Sequence, residues 1–354
     1  MTSADPGGHS VPWGHPRPPW PGPPARPDPP SLKNASGDQA SRFRAALESG
    51  AFTVTAEVGP PRGADTQALV RKVTPLRDLV TAVNITDNQG ATVRLSSWAG
   101  SLAVMAAGVE PIMQLTCRDS NRIALQASLL GAAAMGIPNI LVMTGDHPRF
   151  GDHPGAKPVF DMDSVQLLMT ARTMRDEGRL LSGRELKPPP RWFLGSVENP
   201  SAPPLDFRAI RLRKKIGAGA QFIQTQYMFD VALFARFMAQ VRDLGLDERC
   251  HILAGVGPVC SLRALDHMQN GVPGLRIPED VARRIRSVSE DRIAQEGVSI
   301  CAEIIGELRQ IPGVAGVHVM AMGNEHRIPA ILERAGFQPR PPASVAAAGT
   351  DHAH

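Results

Sequence analysis

From Phe52 onward, short apolar and β-branched runs alternate with longer amphipathic segments. The runs fall at Phe52–Val58, Thr81–Thr86, Pro111–Thr116, Asn139–Thr144, Trp192–Val197, Gln221–Gln226, His251–Val256 and Gly316–Met320. Between them lie stretches such as ALVRKVTPLRDLV, RIALQASLLGAAAMG, SVQLLMTARTMRDEG and VALFARFMAQVRDLG, several of them closed by glycine. Apolar positions three and four apart share one helix face, and a following glycine supplies a left-handed C-cap. Strands that alternate with helices predict a parallel sheet covered on both faces by right-handed crossovers. Eight such units in roughly 300 residues predict an α/β fold of the (β/α)8 TIM-barrel kind.

A doubly wound dinucleotide-binding sheet is the competing architecture, and its motif is missing. No Gly-x-Gly-x-x-Gly follows the first strand, and Gly217-Ala218-Gly219 precedes a strand where the motif would open a helix. The seventh unit is the least regular. Between Pro258 and Arg283 the chain reads as a short helix, a loop with Pro273-Gly274 and a second helix, a place for a ligand-covering loop.

Barrels of this kind carry their sites at the C-terminal mouth, so the polar residues that end the strands are the candidates. Glu57 ends the first strand, Thr86-Asp87-Asn88 the second, Gln114, Thr116 and Arg118-Asp119 the third. Thr144-Gly145-Asp146-His147 ends the fourth, Glu198-Asn199 the fifth, Gln224-Thr225-Gln226 the sixth, and Asn324 follows the eighth. Glu57 lies among Val54, Ala56 and Val58, where burial favours the protonated acid and suits general-acid work. An ion pair with Arg62 would act in the opposite sense, and the local sequence leaves both open.

Gly145 lets the backbone approach a ligand closely, and the neighbouring Asp146 can order a loop, bind a metal, accept hydrogen bonds from a heterocycle or cap the next segment. Gln226 offers an amide that can bind a planar heterocycle at two points or bond to neighbouring backbone. Lys215 can reach a phosphate, although most lysines on such a helix are simply solvated. His147 and His153 flank Asp152, but HPRFGDHP holds two prolines and no cysteine, and no metal site is expected.

Composition narrows the classes. With 42% apolar and 20% charged residues the chain reads as a soluble globular protein. The net charge of +4 comes from interleaved acidic and basic residues with no basic run threaded by aromatics, so no nucleic-acid partner is expected. No apolar run approaches the roughly 18 residues that span a bilayer, so no membrane partner is expected either. Cys117, Cys250, Cys260 and Cys301 contain no Cys-x-x-Cys pair, which fits a reducing cytoplasm. Eleven of the 33 prolines fall between Pro6 and Pro30. Residues 1–41 therefore read as a Pro-rich, disordered tail, either inert or a docking segment around Pro18-Pro19-Trp20-Pro21. Residues 42–340 read as the catalytic barrel and 341–354 as a flexible C-terminal tail.

Five blocks, AEVGPPRG (56–63), QLTCRDSNR (114–122), GIPNILVMTGDHP (136–148), KKIGAGAQFIQTQYMFD (214–230) and GVHVMAMGNEHRIPAILERAGF (316–337), resemble the methylenetetrahydrofolate reductase family in order and spacing. The likeness is to the short bacterial and archaeal branch, which includes reductase modules fused to homocysteine methyltransferases. It implies a flavoprotein barrel of one-carbon and methionine metabolism, in which NADH or NADPH reduces FAD. The reduced FAD then converts 5,10-methylenetetrahydrofolate to 5-methyltetrahydrofolate.

The resemblance also implies roles. Glu57 matches the acid that opens the methylene bridge, and Asp146 an aspartate beside the flavin and the pterin. Gln226 matches a folate ligand, Leu262 an apolar cover, Lys215 a contact to the FAD phosphates and Thr86 a threonine near the flavin. Gln114, Thr144 and Gly145 fall on the cofactor side. Three departures stand out: Gln114 where many members have His, Thr144 where many have Arg, and Arg208 where some have Asp. They motivate the alternative of a flavin-poor folate-binding or methyl-transfer partner subunit. A homo-oligomer and an electron-donating or methyltransferase partner subunit both remain open.

Overall fold

The computed structural model describes residues 41–272 and 274–339. The segment before residue 41, Pro273 and residues 340–354 lie outside the described residues, and so do the expectations for the two tails, except at Ser41, which is buried and caps the first helix instead of belonging to a disordered tail. A short helix, α1 (Arg42–Glu48), precedes eight parallel strands that close into one barrel in sequence order. These are β1 (Thr53–Val58), β2 (Ala82–Ile85), β3 (Pro111–Thr116), β4 (Asn139–Met143), β5 (Phe193–Glu198), β6 (Phe222–Tyr227), β7 (His251–Val256) and β8 (Val314–Met320). β8 pairs back onto β1, with Thr55 beside His318 and Glu57 beside Met320. Each expected strand is present, its ends moved by no more than two residues.

Helices α2 (Thr66–Val73), α3 (Ser97–Ala106), α4 (Arg122–Ala134), α5 (Ser164–Asp176), α6 (Arg208–Ala218) and α7 (Val231–Asp243) follow the first six strands. The irregular seventh unit resolves into α8 (Leu262–Asn270), α9 (Glu279–Arg286) and α10 (Ile293–Leu308), and α11 (Ile328–Arg334) follows β8. Local chemistry sets many of the starts. Asp65, Ser96, Asn121, Asp163, Asp230 and Ser261 each accept an N–H of the first turn, contacts worth about 1 kcal/mol apiece. The ALVRKVTPLRDLV segment does not run as one helix. Pro75 lacks an N–H, so α2 stops at Val73 and a 3-10 turn spans Thr74–Leu76.

The barrel interior is layered. Its lower layer is apolar: Ala82, Ile112, Leu141, Phe193, Phe222 and Leu253 pack inside the strands and meet Phe43 and Leu47 of α1. The Phe43 ring stands edge-on to Phe193 at 5.7 Å and to Phe222 at 5.0 Å. Gly195 on β5 leaves room for this packing, because a Cβ there would fall 2.2 Å from the Phe222 ring.

Helix α1 is too short for its periodicity to stand out in the sequence, and tertiary contacts hold it. The amides of Arg42 (2.8 Å) and Phe43 (3.0 Å) donate to the Glu110 carboxylate, so an acid from the β2–β3 connection caps the plug. Truncating a buried phenylalanine costs about 3–5 kcal/mol. Phe43→Ala should therefore lower the urea midpoint by that much stability, and a midpoint equal to the parent's would show that the plug contributes nothing.

Candidate functional site

The C-terminal strand ends surround a cavity of about 470 Å³. Glu57 projects from the end of β1 into its floor, with 14% of its side chain exposed. Its Oε1 accepts from Gln89 Nε2 at 2.9 Å and its Oε2 from Gln114 Nε2 at 3.1 Å. His318 Nε2 lies 3.8 Å from the same Oε2. Arg62 is exposed and forms no ion pair with Glu57 among the described residues, so that reading is set aside.

Beneath Glu57 the interior turns polar. Thr55, Asn84, Gln224 and His318 are buried and bonded to one another through side chains alone. A buried polar group is costly unless paired, and here each finds a partner inside the barrel.

Loops complete the rim. Arg118 ties three of them together. Its guanidinium bonds Asp119 at 2.8 and 2.7 Å, the Asn88 carbonyl at 3.2 Å and the Asp146 carbonyl at 3.4 Å. In the loop after β2, Asn88 (φ 46°), Gly90 (φ 63°) and Ala91 (φ 55°) are left-handed, and this contorted backbone delivers Gln89 to Glu57. Asp87 accepts from Thr116 N and Oγ1, both at 2.9 Å. Burial pushes its carboxyl above the usual range, against the pull of those two bonds.

One wall is cationic. Glu198, at the end of β5, is buried and faces Lys215 Nζ at 3.1 Å, Arg208 Nη1 at 3.7 Å and Arg211 Nε at 3.9 Å. Lys215 also donates to the Val197 carbonyl. Burial pulls the Lys215 ammonium below its ordinary value, and the Glu198 carboxylate restores part of the loss. Three cations around one carboxylate leave a surplus of two positive charges at the cavity edge, and the buried Arg208 Nε has no partner among the described residues.

Of the residues expected from sequence, Glu57, Gln114, Thr144, Gly145, Asp146, Lys215 and Gln226 line this cavity. Thr86 and Leu262 do not. Thr86 is 1% exposed with an unpartnered hydroxyl packed behind the wall. Leu262 is 47% exposed, because α8 buries Leu265 and Met268 instead. Val272, from the same insertion, reaches the cavity in its place.

The reason for Gly145 also changes. At φ 89° a Cβ would press on Thr116 at 3.1 Å and Arg118 at 3.2 Å, so turn geometry and packing on β3 demand the glycine. The Gln226 side-chain oxygen, Oε1, accepts from Tyr227 N at 3.0 Å, which is the backbone bond held open for it, although the residue does line the cavity. Among the described residues no three His, Cys, Asp or Glu side chains group to hold a metal. No described helix is long and apolar enough to cross a membrane.

Sequence reasoning missed Gln89, Arg211 and His318. For His318 a signal existed: alternation along β8 points Gly316, His318 and Met320 to the same side. The position of Gln89 depends on a non-repetitive loop and carries no such signal.

Fold and site together define a (β/α)8 barrel with a half-buried acid at the mouth and a cationic wall. The methylenetetrahydrofolate reductase family model matches residues 42–336, and the chain belongs to that family. Its relatives include "5,10-methylenetetrahydrofolate reductase" of Pectobacterium carotovorum, 24% identical over 82% of this chain and 92% of that protein. "Probable methylenetetrahydrofolate reductase (NADPH)" of Caenorhabditis elegans is 26% identical over 65% of this chain, and the match spans 33% of that protein. "Methylenetetrahydrofolate reductase 2" of Saccharomyces cerevisiae is 28% identical over 73% of this chain and 42% of its own length. Among solved structures, a Clostridium thermocellum protein that binds two copies of 5-methyl-5,6,7,8-tetrahydrofolic acid shares the fold. It has a TM-score of 0.60 and 13% identity over 83% of this chain and 97% of that one.

The buried Asp87 makes a prediction about stability. A carboxyl whose folded pKa is raised stabilises the fold fully below its unfolded value of 3.8, and that contribution is lost as the pH climbs through the folded value. Asp87→Asn keeps an acceptor for both Thr116 bonds. It should exceed the parent in urea midpoint at pH 7, with the difference vanishing below the unfolded value. A variant less stable than the parent at neutral pH would overturn this account.

Proposed function

We propose that this chain reduces 5,10-methylenetetrahydrofolate to 5-methyltetrahydrofolate in the cytoplasm, with NADH or NADPH as the source of hydride. The observation that carries the reading is Glu57, a carboxyl on the cavity floor with an amide N–H on each oxygen. Family membership and the naming of relatives by a nicotinamide donor support it. Four free cysteines agree with a reducing compartment.

The chemistry assigns Glu57 a specific task. The product keeps its methyl group on N5, so the bond from the methylene carbon to N10 must break. That nitrogen is a poor leaving group until it receives a proton, and its departure leaves an N5 iminium ready for hydride. As Glu57 gives up the proton, negative charge appears on its carboxyl, and the Gln89 and Gln114 N–H groups already point at both oxygens. Donors set in advance cost no reorganisation during the reaction. In this reading Gln226 and Asp146 bind the pterin edges.

The residues present fit a dinucleotide cofactor such as FAD. Its pyrophosphate carries two negative charges, matched by the surplus on Lys215, Arg208 and Arg211 around Glu198, and the unpartnered Arg208 Nε supplies a donor. Thr144, Gly145, Asp146 and Gln114 line the same cavity and would hold the ring system. When bound, FAD supplies the hydride-carrying step between nicotinamide and folate. Of the three departures, Arg208 lies on that cationic wall.

Glu57→Gln has nearly the same shape but no proton to give. It should bind folate within a few-fold of the parent and form 5-methyltetrahydrofolate roughly 10²–10⁴-fold more slowly. Full folate turnover by this variant would remove Glu57 from the role of acid. Single-turnover assays with NADH and NADPH, each with and without added FAD, then test the donor. A protein that binds folate and oxidises neither nucleotide under any of these conditions is a folate-binding partner subunit, and the reductase reading fails.

A further inference from the structure

We infer that Thr225 is a positioning residue for folate, its hydroxyl holding a bulge in β6 that fixes how Gln226 meets the pterin. The inference rests on the reading of Gln226 as a pterin ligand and adds the group that sets the orientation of that ligand.

The argument starts from a break in strand register. β6 and β7 pair evenly from Phe222 beside His251 to Gln224 beside Leu253, and the next pair is Tyr227 beside Gly255. Thr225 and Gln226 therefore stand against the single residue Ala254. One extra residue bends a strand and re-aims its side chains, and bulges recur beside active sites for that reason. Gly255 admits the extra residue. A Cβ there would fall 2.2 Å from the Thr225 carbonyl oxygen and 2.7 Å from the Gln226 carbonyl oxygen.

The Thr225 hydroxyl spans the irregularity. It accepts from Gly255 N at 2.9 Å and donates to the Gln226 carbonyl at 2.9 Å. A hydroxyl can do both at once, and Thr225 is buried, so no bulk water replaces either bond. The chain is pinned again just beyond. Met228 N donates to the Gly255 carbonyl at 2.8 Å, and the Tyr227 hydroxyl donates to the Met320 carbonyl of β8 at 2.8 Å.

Held in this way, the backbone dictates the Gln226 side chain. Tyr227 N can only donate, so the amide atom 3.0 Å from it is the oxygen, Oε1. That leaves the two N–H groups of Nε2 as what Gln226 offers the cavity it lines. Pterin edges carry ring nitrogens and a carbonyl oxygen that accept such donors. Without the Thr225 hydroxyl, the bulge loses the one group that joins its two sides. A one-residue slip in register turns a side chain toward the other face of a strand, so Gln226 would lose its aim.

The test uses the full chain, titrated with 5-methyltetrahydrofolate in a calorimeter with FAD in excess. Thr225→Val keeps the shape and removes the hydroxyl. It should weaken Kd roughly 10-fold at unchanged stoichiometry, while Thr225→Ser, which keeps the hydroxyl, should stay within about two-fold of the parent. A purely structural defect would lower the stoichiometry and leave Kd alone. Gln226→Glu keeps an oxygen for Tyr227 N and replaces the NH₂ with a second acceptor, and it should weaken Kd at least as much as Thr225→Val. Parental Kd in Thr225→Val, or a Kd in Thr225→Ser as weak as in Thr225→Val, would overturn the inference. With Gln226→Glu still impaired, either result leaves Gln226 standing as a ligand. Parental Kd in both Gln226→Glu and Thr225→Val would overturn both readings. ¹⁵N NMR of the wild type decides the matter if Thr225→Val does not fold. The Gln226 side-chain NH₂ pair, assigned by its absence from Gln226→Glu, should shift when 5-methyltetrahydrofolate is added, and an unmoved pair would overturn the inference.

Discussion

A closed barrel must fill its own interior, and this one does so in two chemically opposite layers. Below, Phe43, Phe193 and Phe222 pack an aromatic plug, made possible by the missing side chain at Gly195. Above, Thr55, Asn84, Gln224 and His318 satisfy one another's hydrogen bonds without water. A carboxyl placed over an apolar floor alone would lose its solvation with nothing in return. Set over the polar layer and between two glutamine amides, Glu57 is half-buried and supported. The rest of the mouth is arranged around that constraint.

The rim answers a different demand. Loops after β2, β3 and β4 carry ligand-facing groups but have no ladder to hold them. Arg118 substitutes for one by bonding Asp119 and the carbonyls of Asn88 and Asp146. Across the cavity, Glu198 gathers three cations that would otherwise repel one another, and holds them as a wall with net positive charge.

Much of this was legible in the chain. The β-branched runs and capped amphipathic segments set the eight strands and most helices, because both signals are local. Glu57, Gln114, Asp146 and Gln226 were legible because a parallel barrel brings strand ends to one mouth whatever the details of packing, whereas Lys215, on α6, was reached through the family resemblance. Helix α1 was not, since Glu110, far along the chain, supplies its cap. Thr86 and Leu262 were placed at the site by resemblance, but whether a side chain reaches the cavity depends on helix rotation and strand tilt. Those are set by packing against neighbours that a linear pattern does not contain.

The sequence by itself determined the fold class, the family and the ring of strand ends that could bear chemistry, because periodicity and short motifs are properties of consecutive residues. Only the tertiary structure decided what each of those residues touches. It set Arg62 apart from Glu57, tied Lys215 to Glu198, and turned Gln89 through a left-handed loop onto the acid. Barrel closure is the physical reason for the last pairing. It places β8 against β1 and so puts His318 beside Thr55 and Glu57, more than 250 positions away in the chain, a contact that register creates and local sequence does not encode.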